Sequence, residues 1–137
     1  MENNVVPKRY ADMYEKKVEE LVKKYKKIKD KDDLFRAVKS EIEKFIKKCD
    51  ELTIIYLAIH AWEREIEINE DDVVNTLYFN PEFAMDESYF DYVENSYPHP
   101  FDLLSIYSLV LLSSLLLYSV IKEINPDLLH VPEQEPE

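Results

Sequence analysis

The sequence predicts an all-α helical bundle with an N-terminal antiparallel helical hairpin and a buried hydrophobic C-terminal helix. Three observations lead to this fold class. The 137 residues include no glycine, which removes the usual means of forming positive-φ turns and β-hairpins. In the first half, apolar residues recur every three or four positions, as they do on one face of a helix. After Asp102, nineteen residues pass without a charge before Lys122.

The first helix is predicted from about Pro7 to Lys29, since proline suits the first turn of a helix. Its apolar face consists of Ala11, Tyr14, Val18, Leu21, Tyr25 and Ile28. A charged turn from Asp30 to Asp33 follows, and its aspartates can cap the next helix.

One long second helix is predicted from about residue 33 to residue 67, with a break indicated at Cys49-Asp50. Its first half folds back on the first helix. Its apolar positions are Phe35, Val38, Ile42, Phe45, Cys49, Leu52, Tyr56 and Ile59. Beyond Leu52 the sequence is apolar nearly all round, which predicts that this half pairs with the C-terminal apolar helix and that Trp62 closes one end of the contact.

Shorter elements follow. A helix is predicted over about residues 70–79, because Asn69 followed by acidic residues is a typical helix start. A single turn from Pro81 to Met85 and a helix from about Asp86 to Asn95 come next, and prolines at 98 and 100 end that helix.

The apolar stretch from Phe101 to Ile121 is long enough to cross a bilayer or to form the centre of a bundle. Serines at 105, 108 and 119 share one side, with Ser113 beside them, which favours a central helix that other helices approach closely. Residues 82–102 carry six acidic side chains and no Lys or Arg, which argues against a membrane flank. A C-terminally membrane-anchored protein is kept as an alternative. The helix is expected to end at Ile124, with one further turn at Leu128 and Leu129.

We expect one helical domain over residues 1–129 and a disordered acidic tail over residues 130–137. The first ten residues lack an apolar stretch, and Cys49 is the single cysteine, so a cytoplasmic location is expected. The abundance of Lys and Glu, with few Gln and Thr, also occurs in thermophilic proteins.

Charge is distributed unevenly along the chain. Residues 1–50 hold 15 Lys or Arg against 11 acidic residues, whereas residues 51–137 hold 2 against 18. The absence of glycine also argues against Gly-rich phosphate-binding loops, and therefore against P-loop and dinucleotide binding.

One spacing is reminiscent of a carboxylate-histidine metal site. His60, Glu63, Glu67 and Glu70 would share one helical face if the helix ran that far. A di-iron bundle needs Glu-x-x-His pairs on two helices, whereas this chain offers a single reversed pair. We therefore predict an exposed acidic face with His60 at the edge of the core, and no cofactor, metal site or catalytic residue.

The function predicted from these features is a non-catalytic protein-protein interaction module: a small subunit, adaptor or inhibitor. It would dock on a partner with a basic surface through an acidic, tyrosine-rich region, since tyrosine contributes contact area at low entropic cost. The candidate residues are Asp86, Glu87, Tyr89, Asp91, Tyr92, Glu94 and Tyr97.

Two further hypotheses use the basic half. A small helical nucleic-acid-binding subunit would contact phosphates through Lys23, Lys24, Lys26, Lys27, Lys29 and Lys31. Self-association would be head-to-tail if the basic and acidic regions lie on different surfaces, or two-fold if the apolar faces pair.

Overall fold

The computed structural model describes residues 6–84 and 103–129, and its helices confirm the all-α bundle. The helices are α1 (Lys8–Tyr25), α2 (Lys31–Lys47), α3 (Glu51–Ala61), α4 (Glu67–Phe79) and α5 (Leu103–Ile124). A π-helical turn, Trp62–Ile66, joins α3 to α4, and 3-10 turns occupy Pro81–Phe83 and Pro126–Leu129. These two ranges contain no strand. The helix predicted at 86–95 and the tail predicted at 130–137 lie outside the described residues.

The antiparallel hairpin is formed by α1 and α2. Lys17 Nζ, in the middle of α1, lies 4.9 Å from the ring centre of Phe45, near the end of α2. Tyr25, two turns further along α1, donates a 2.7 Å hydrogen bond to Glu41, one turn earlier in α2. The predicted apolar face of α1 is confirmed by the burial of Tyr14, Val18 and Leu21. The helix ends at Tyr25 rather than Lys29.

The prediction of one helix from 33 to 67 is wrong, and the break indicated at Cys49-Asp50 is present. The side chain of Asp50 accepts a 2.8 Å hydrogen bond from the backbone N–H of Thr53 and so caps a new helix, α3. The break resets the helical phase. Leu52, predicted to be buried, is therefore 53% exposed, and the buried face of α3 consists of Ile54, Leu57, Ala58 and Ala61.

The junction of α3 and α4 differs most from the prediction. A π turn has i→i+5 hydrogen bonds, so it carries one extra residue and rotates the side chains that follow it. Trp62 is 41% exposed and does not close the contact with α5. The helix start predicted at Asn69 is confirmed, because Asn69 has the non-helical angles φ −149° and ψ 59°, and α4 consists of two helical parts that meet across a kink there.

The C-terminal helix is buried, as predicted. It packs against α1, α2 and α3, and its fully buried residues include Leu112, Leu115, Leu116, Leu117, Val120 and Ile121. In the described ranges it is the helix whose length and hydropathy would suit a bilayer: the window Tyr107–Ile124 has a mean hydropathy of 1.5, and 61% of that window is buried inside the fold.

Helices α1 and α3 run in the same direction, and both contact α5. Tyr10 stacks on Tyr56 with ring centres 4.9 Å apart. One turn further along both helices, Tyr14 contacts His60 edge-on. Tyr14 also reaches α5, where its hydroxyl lies 2.8 Å from Ser119 Oγ. The polar side chains of three helices therefore converge where the π turn begins.

Leu116→Ala tests the central role of α5. Leu116 is fully buried, so truncation should lower the free energy of unfolding by about 2–5 kcal/mol through lost burial and the cavity it leaves. Urea unfolding followed by circular dichroism measures this. Val110→Ala, on the exposed side of the same helix, is the control and should change stability by less than ~0.5 kcal/mol. Equal losses of unfolding free energy in the two variants would contradict the assignment of the buried face.

The hairpin should also make stability depend on pH. Hydrogen bonds from Lys24 and Tyr25 lower the pKa of Glu41 to about 2, below its ordinary value of 4.5. A lowered folded pKa stabilises the fold above pH 4.5, and the contribution is lost as the pH falls towards 2. The difference in unfolding free energy between wild type and Glu41→Gln should therefore shrink over this interval in urea titrations.

Glu19→Gln is the matched control, because Glu19 is exposed and forms no ion pair among the described residues. The difference in unfolding free energy between Glu19→Gln and wild type should change less with pH. A Glu41→Gln difference that stays constant from pH 7 to pH 2 would contradict the role assigned to this carboxylate.

Candidate functional site

A buried carboxylate lies at the junction of α3, α4 and α5. Glu65, in the π turn, is 2% exposed. Lys122 Nζ lies 2.6 Å from its Oε1, Ser119 Oγ donates a 2.6 Å hydrogen bond to its Oε2, and Arg64 Nη1 also bonds Oε2. Burying a charge is costly unless it is paired and hydrogen-bonded, and both oxygens of Glu65 meet that condition.

Arg64 extends this cluster to the surface. Its Nε lies 2.7 Å from Glu15 Oε2 on α1, and its Nη2 lies 2.9 Å from Glu123 Oε2 on α5. Burial opposes the charge of Arg64, but these hydrogen bonds to Glu15 and Glu123 outweigh it and raise the pKa of the guanidinium. One side chain thus connects α1, the π turn and α5.

Tyr14 completes the cluster from the side of α1. It is fully buried, and burial raises the pKa of its hydroxyl. A chain in which Tyr14 donates to Ser119 and Ser119 donates to Glu65 satisfies both hydroxyls. The Tyr14 hydroxyl also lies 3.1 Å from the Leu115 carbonyl. The predicted serine face of α5 therefore receives polar side chains at Ser119, while Ser113 Oγ finds no hydrogen-bond partner in the described part of the chain.

The residues whose spacing resembles that of a carboxylate-histidine metal site do not come together in the structure. His60 Nε2 lies 2.8 Å from Glu15 Oε2, at the edge of the core as predicted. The π turn and the Asn69 kink place Glu67 and Glu70 on a separate, exposed part of the chain. Within residues 6–84 and 103–129, no group of three or more His, Cys, Asp or Glu side chains could hold a metal ion.

Beyond the cluster, α4 exposes an acidic and apolar surface. Its buried residues are Val73 and Thr76, and Thr76 Oγ1 donates a 3.3 Å hydrogen bond to the carbonyl of Leu129. Its exposed large hydrophobic residues are Ile68, Val74, Tyr78 and Phe79, of which Ile68 is 81% and Tyr78 78% exposed. Helical spacing puts Asp71, Val74 and Tyr78 on the face opposite Val73 and Thr76. We call this exposed face, with Glu67, Glu70, Asp71 and Asp72, the acidic α4 surface.

The carboxylates of this surface are not neutralised within the described structure. In residues 6–84 and 103–129, neither Lys nor Arg forms an ion pair with Glu67, Glu70, Asp71 or Asp72. Asp72 accepts a 2.8 Å hydrogen bond from the Asn69 side chain. The surface therefore presents negative charge beside exposed aromatic and aliphatic groups.

The residues predicted from the sequence to bind a partner or a nucleic acid lie in two places. Asp86, Glu87, Tyr89, Asp91, Tyr92, Glu94 and Tyr97 lie outside the described residues and follow α4 in the chain. Of the six lysines, Lys24 pairs with Glu41 at 2.8 Å and Lys31 with Glu82 at 2.6 Å. The other four, Lys23, Lys26, Lys27 and Lys29, are exposed.

Sequence reasoning missed Glu65 because the π turn, which no simple periodicity predicts, rotates it inwards. A signal was present nonetheless. Arg64 and Lys122 are the two cations of residues 51–137, and both bond Glu65. A cation that stands alone in an acidic, apolar region is a candidate partner for a buried carboxylate.

Comparisons with known protein families, curated proteins and solved structures find no match to this chain.

Glu65→Ala tests whether the buried cluster holds the junction. The substitution leaves Ser119, Lys122 and Arg64 without their acceptor, and because Lys122 is 39% exposed and can be hydrated, the free energy of unfolding should fall by about 1–3 kcal/mol. Urea unfolding measures the loss. Glu63→Ala removes a carboxylate two residues away, outside the cluster, and should cost less than ~1 kcal/mol. Similar losses in both variants would contradict the role of Glu65.

Proposed function

We propose that the protein is a non-catalytic protein-protein interaction module that docks on a basic partner surface through its acidic, tyrosine-rich region. The acidic α4 surface is the observation that carries this proposal. Helix α4 lies at the start of that region in the chain, and Asp86, Glu87, Tyr89, Asp91, Tyr92, Glu94 and Tyr97 follow it in the sequence.

Exposed apolar groups on α4 supply the contact area that a protein interface requires. Tyr78 is almost fully exposed, and its ring packs edge-on against Phe79 at 4.9 Å. Aromatic side chains of this kind are enriched at the centres of interfaces, where they bury large areas and keep one polar atom for a hydrogen bond. Leaving Ile68, Val74 and Tyr78 in water is unfavourable, so a partner that covers them gains hydrophobic stabilisation.

Charge specifies which kind of partner fits. Residues 65–121 contain no Lys or Arg, and residues 65–102 contain eleven acidic side chains. A surface of one sign attracts a surface of the opposite sign over about a Debye length, roughly 10 Å at 0.1 M salt, and speeds the encounter. A basic protein surface, including one that otherwise holds nucleic acid, is therefore the favoured partner.

The two alternatives are less well supported. Direct nucleic-acid binding through the hairpin is weakened by the carboxylates that already pair with Lys24 and Lys31. Membrane anchoring through α5 is disfavoured because Leu112, Leu116 and Ile121 are buried against other helices of the chain.

A photo-activated cross-linker in place of Tyr78 tests the docking surface in cells that make the protein. We expect cross-links to peptides of a partner that are rich in Lys and Arg, because these face the carboxylates of α4. The same cross-linker in place of Glu19, an exposed position on α1, is the control. Equal yields at both positions, or partner peptides without basic residues, would contradict the proposal.

Affinity for the partner found in this way tests the charge argument. The variant with Asp86→Asn, Glu87→Gln, Asp91→Asn and Glu94→Gln should bind at least ~10-fold more weakly, and wild-type binding should weaken as salt rises. A control with Glu19, Asp32, Glu43 and Glu63 changed to amides has the same net charge but leaves the acidic region intact. Titration calorimetry measures both, and salt-independent wild-type binding would overturn the assignment.

A further inference from the structure

We propose that the groove between α1 and α2 binds the acidic α4 surface of a second copy of the chain, so that copies associate head-to-tail. This inference rests on the proposed function, because it names a partner for the same acidic surface. It adds a site that the sequence did not indicate: the groove on the basic hairpin of α1 and α2.

The groove has a volume of about 320 Å³. Met13 and Phe45 contribute its apolar part, and Met13 is one of the large hydrophobic residues that α1 leaves exposed. Polar residues complete the lining: Lys16, Lys17 and Glu20 from α1, and Glu41, Lys44 and Lys48 from α2 and its end. A groove lined by both apolar and charged side chains can receive an amphipathic helix.

The groove keeps free positive charge. Its two carboxylates are already bonded, because Glu20 pairs with Lys17 at 2.9 Å and Glu41 with Lys24 at 2.8 Å. Among the residues described, Lys16, Lys44 and Lys48 form no ion pair. Three cations are thus available to a ligand with several carboxylates.

The acidic α4 surface complements both the apolar part and the positive charge of this groove. Asp71, Val74 and Tyr78 share one exposed face, so an apolar pair and a carboxylate can enter together. Glu70 and Asp71 have no cation partner among the described residues and can meet Lys16 and Lys44. Charge pairing would orient the helix, while Val74 and Tyr78 against Met13 and Phe45 would supply the hydrophobic contact.

Within one copy, α4 is held away from its own groove. Thr76 bonds the carbonyl of Leu129, and the turn after α4 is anchored by Phe83, which contacts Phe35 near the start of α2. The groove instead lies along the second half of α2, at Glu41 to Lys48. A copy that gives its α4 surface to one neighbour and its groove to another makes heterologous contacts, and such contacts produce open chains or rings.

Sedimentation and light scattering of the purified chain across a salt series test the association. A single helix in a groove buries a small area, and interfaces below about 1,200 Å² are typically weak, so protein concentrations should reach ~1 mM. We expect reversible growth in mass with concentration at ~0.05 M salt and a dissociation constant roughly 10-fold higher at ~0.5 M salt. A monomer under all conditions, or a salt-resistant dimer, would overturn the inference.

Charge-reversed variants identify the two surfaces. Glu70→Lys with Asp71→Lys alters α4, and Lys16→Glu with Lys44→Glu alters the groove; each variant alone should remain monomeric. Mixed together, they should associate again and grow into alternating chains, because the intact α4 of one meets the intact groove of the other and the two charge-reversed surfaces also attract each other. Lys27→Glu with Lys29→Glu, which matches the charge change outside the groove, should associate more readily than the groove variant.

The outcomes separate this inference from the proposed function. If the groove variant associates like wild type, or the mixture stays monomeric, the groove is not the site, whatever the cross-links from Tyr78 show. If the mixture associates while each variant alone stays monomeric, the groove and the α4 surface are assigned to each other. Circular dichroism and thermal unfolding of each variant establish that it is folded before its mass is interpreted.

Discussion

The buried carboxylate of Glu65 is the constraint on which the junction of the bundle depends. An ion in a helical core is tolerated only when its partners are complete, and here they come from the π turn and α5, with Tyr14 of α1 behind Ser119. The cluster therefore joins α1, the π turn and α5 directly before the start of α4.

The same cluster explains how the molecule keeps a strongly acidic surface. Arg64 and Lys122, the cations of the C-terminal part, are used inside it and are not available to neutralise α4. In the hairpin, salt bridges such as Lys24–Glu41 neutralise part of the positive charge, yet Lys16 and Lys44 remain exposed. The uneven distribution of charge along the chain thus persists in the folded surface, where it can orient a partner.

Exposure of α4 is the feature that connects this architecture to function. A helix that buries only Val73 and Thr76, and shows Ile68 and Tyr78 to water, contributes little to the stability of its own chain. Its composition is better suited to an interface, in which the apolar groups are covered and the carboxylates meet cations. Both proposals use this helix, one with a basic partner protein and the other with the groove of a second copy.

The sequence by itself determined the helical class, the antiparallel hairpin and the burial of α5, because apolar periodicity and the absence of charge are local properties of the chain. It also indicated the break near Asp50 and the irregularity at Asn69 through their capping chemistry. Only the tertiary structure decided the phase of α3, the exposure of Leu52 and Trp62, and the burial of Glu65. These depend on a helix break and a π turn, which change which face of the chain meets its neighbours, and so on contacts between residues far apart in sequence.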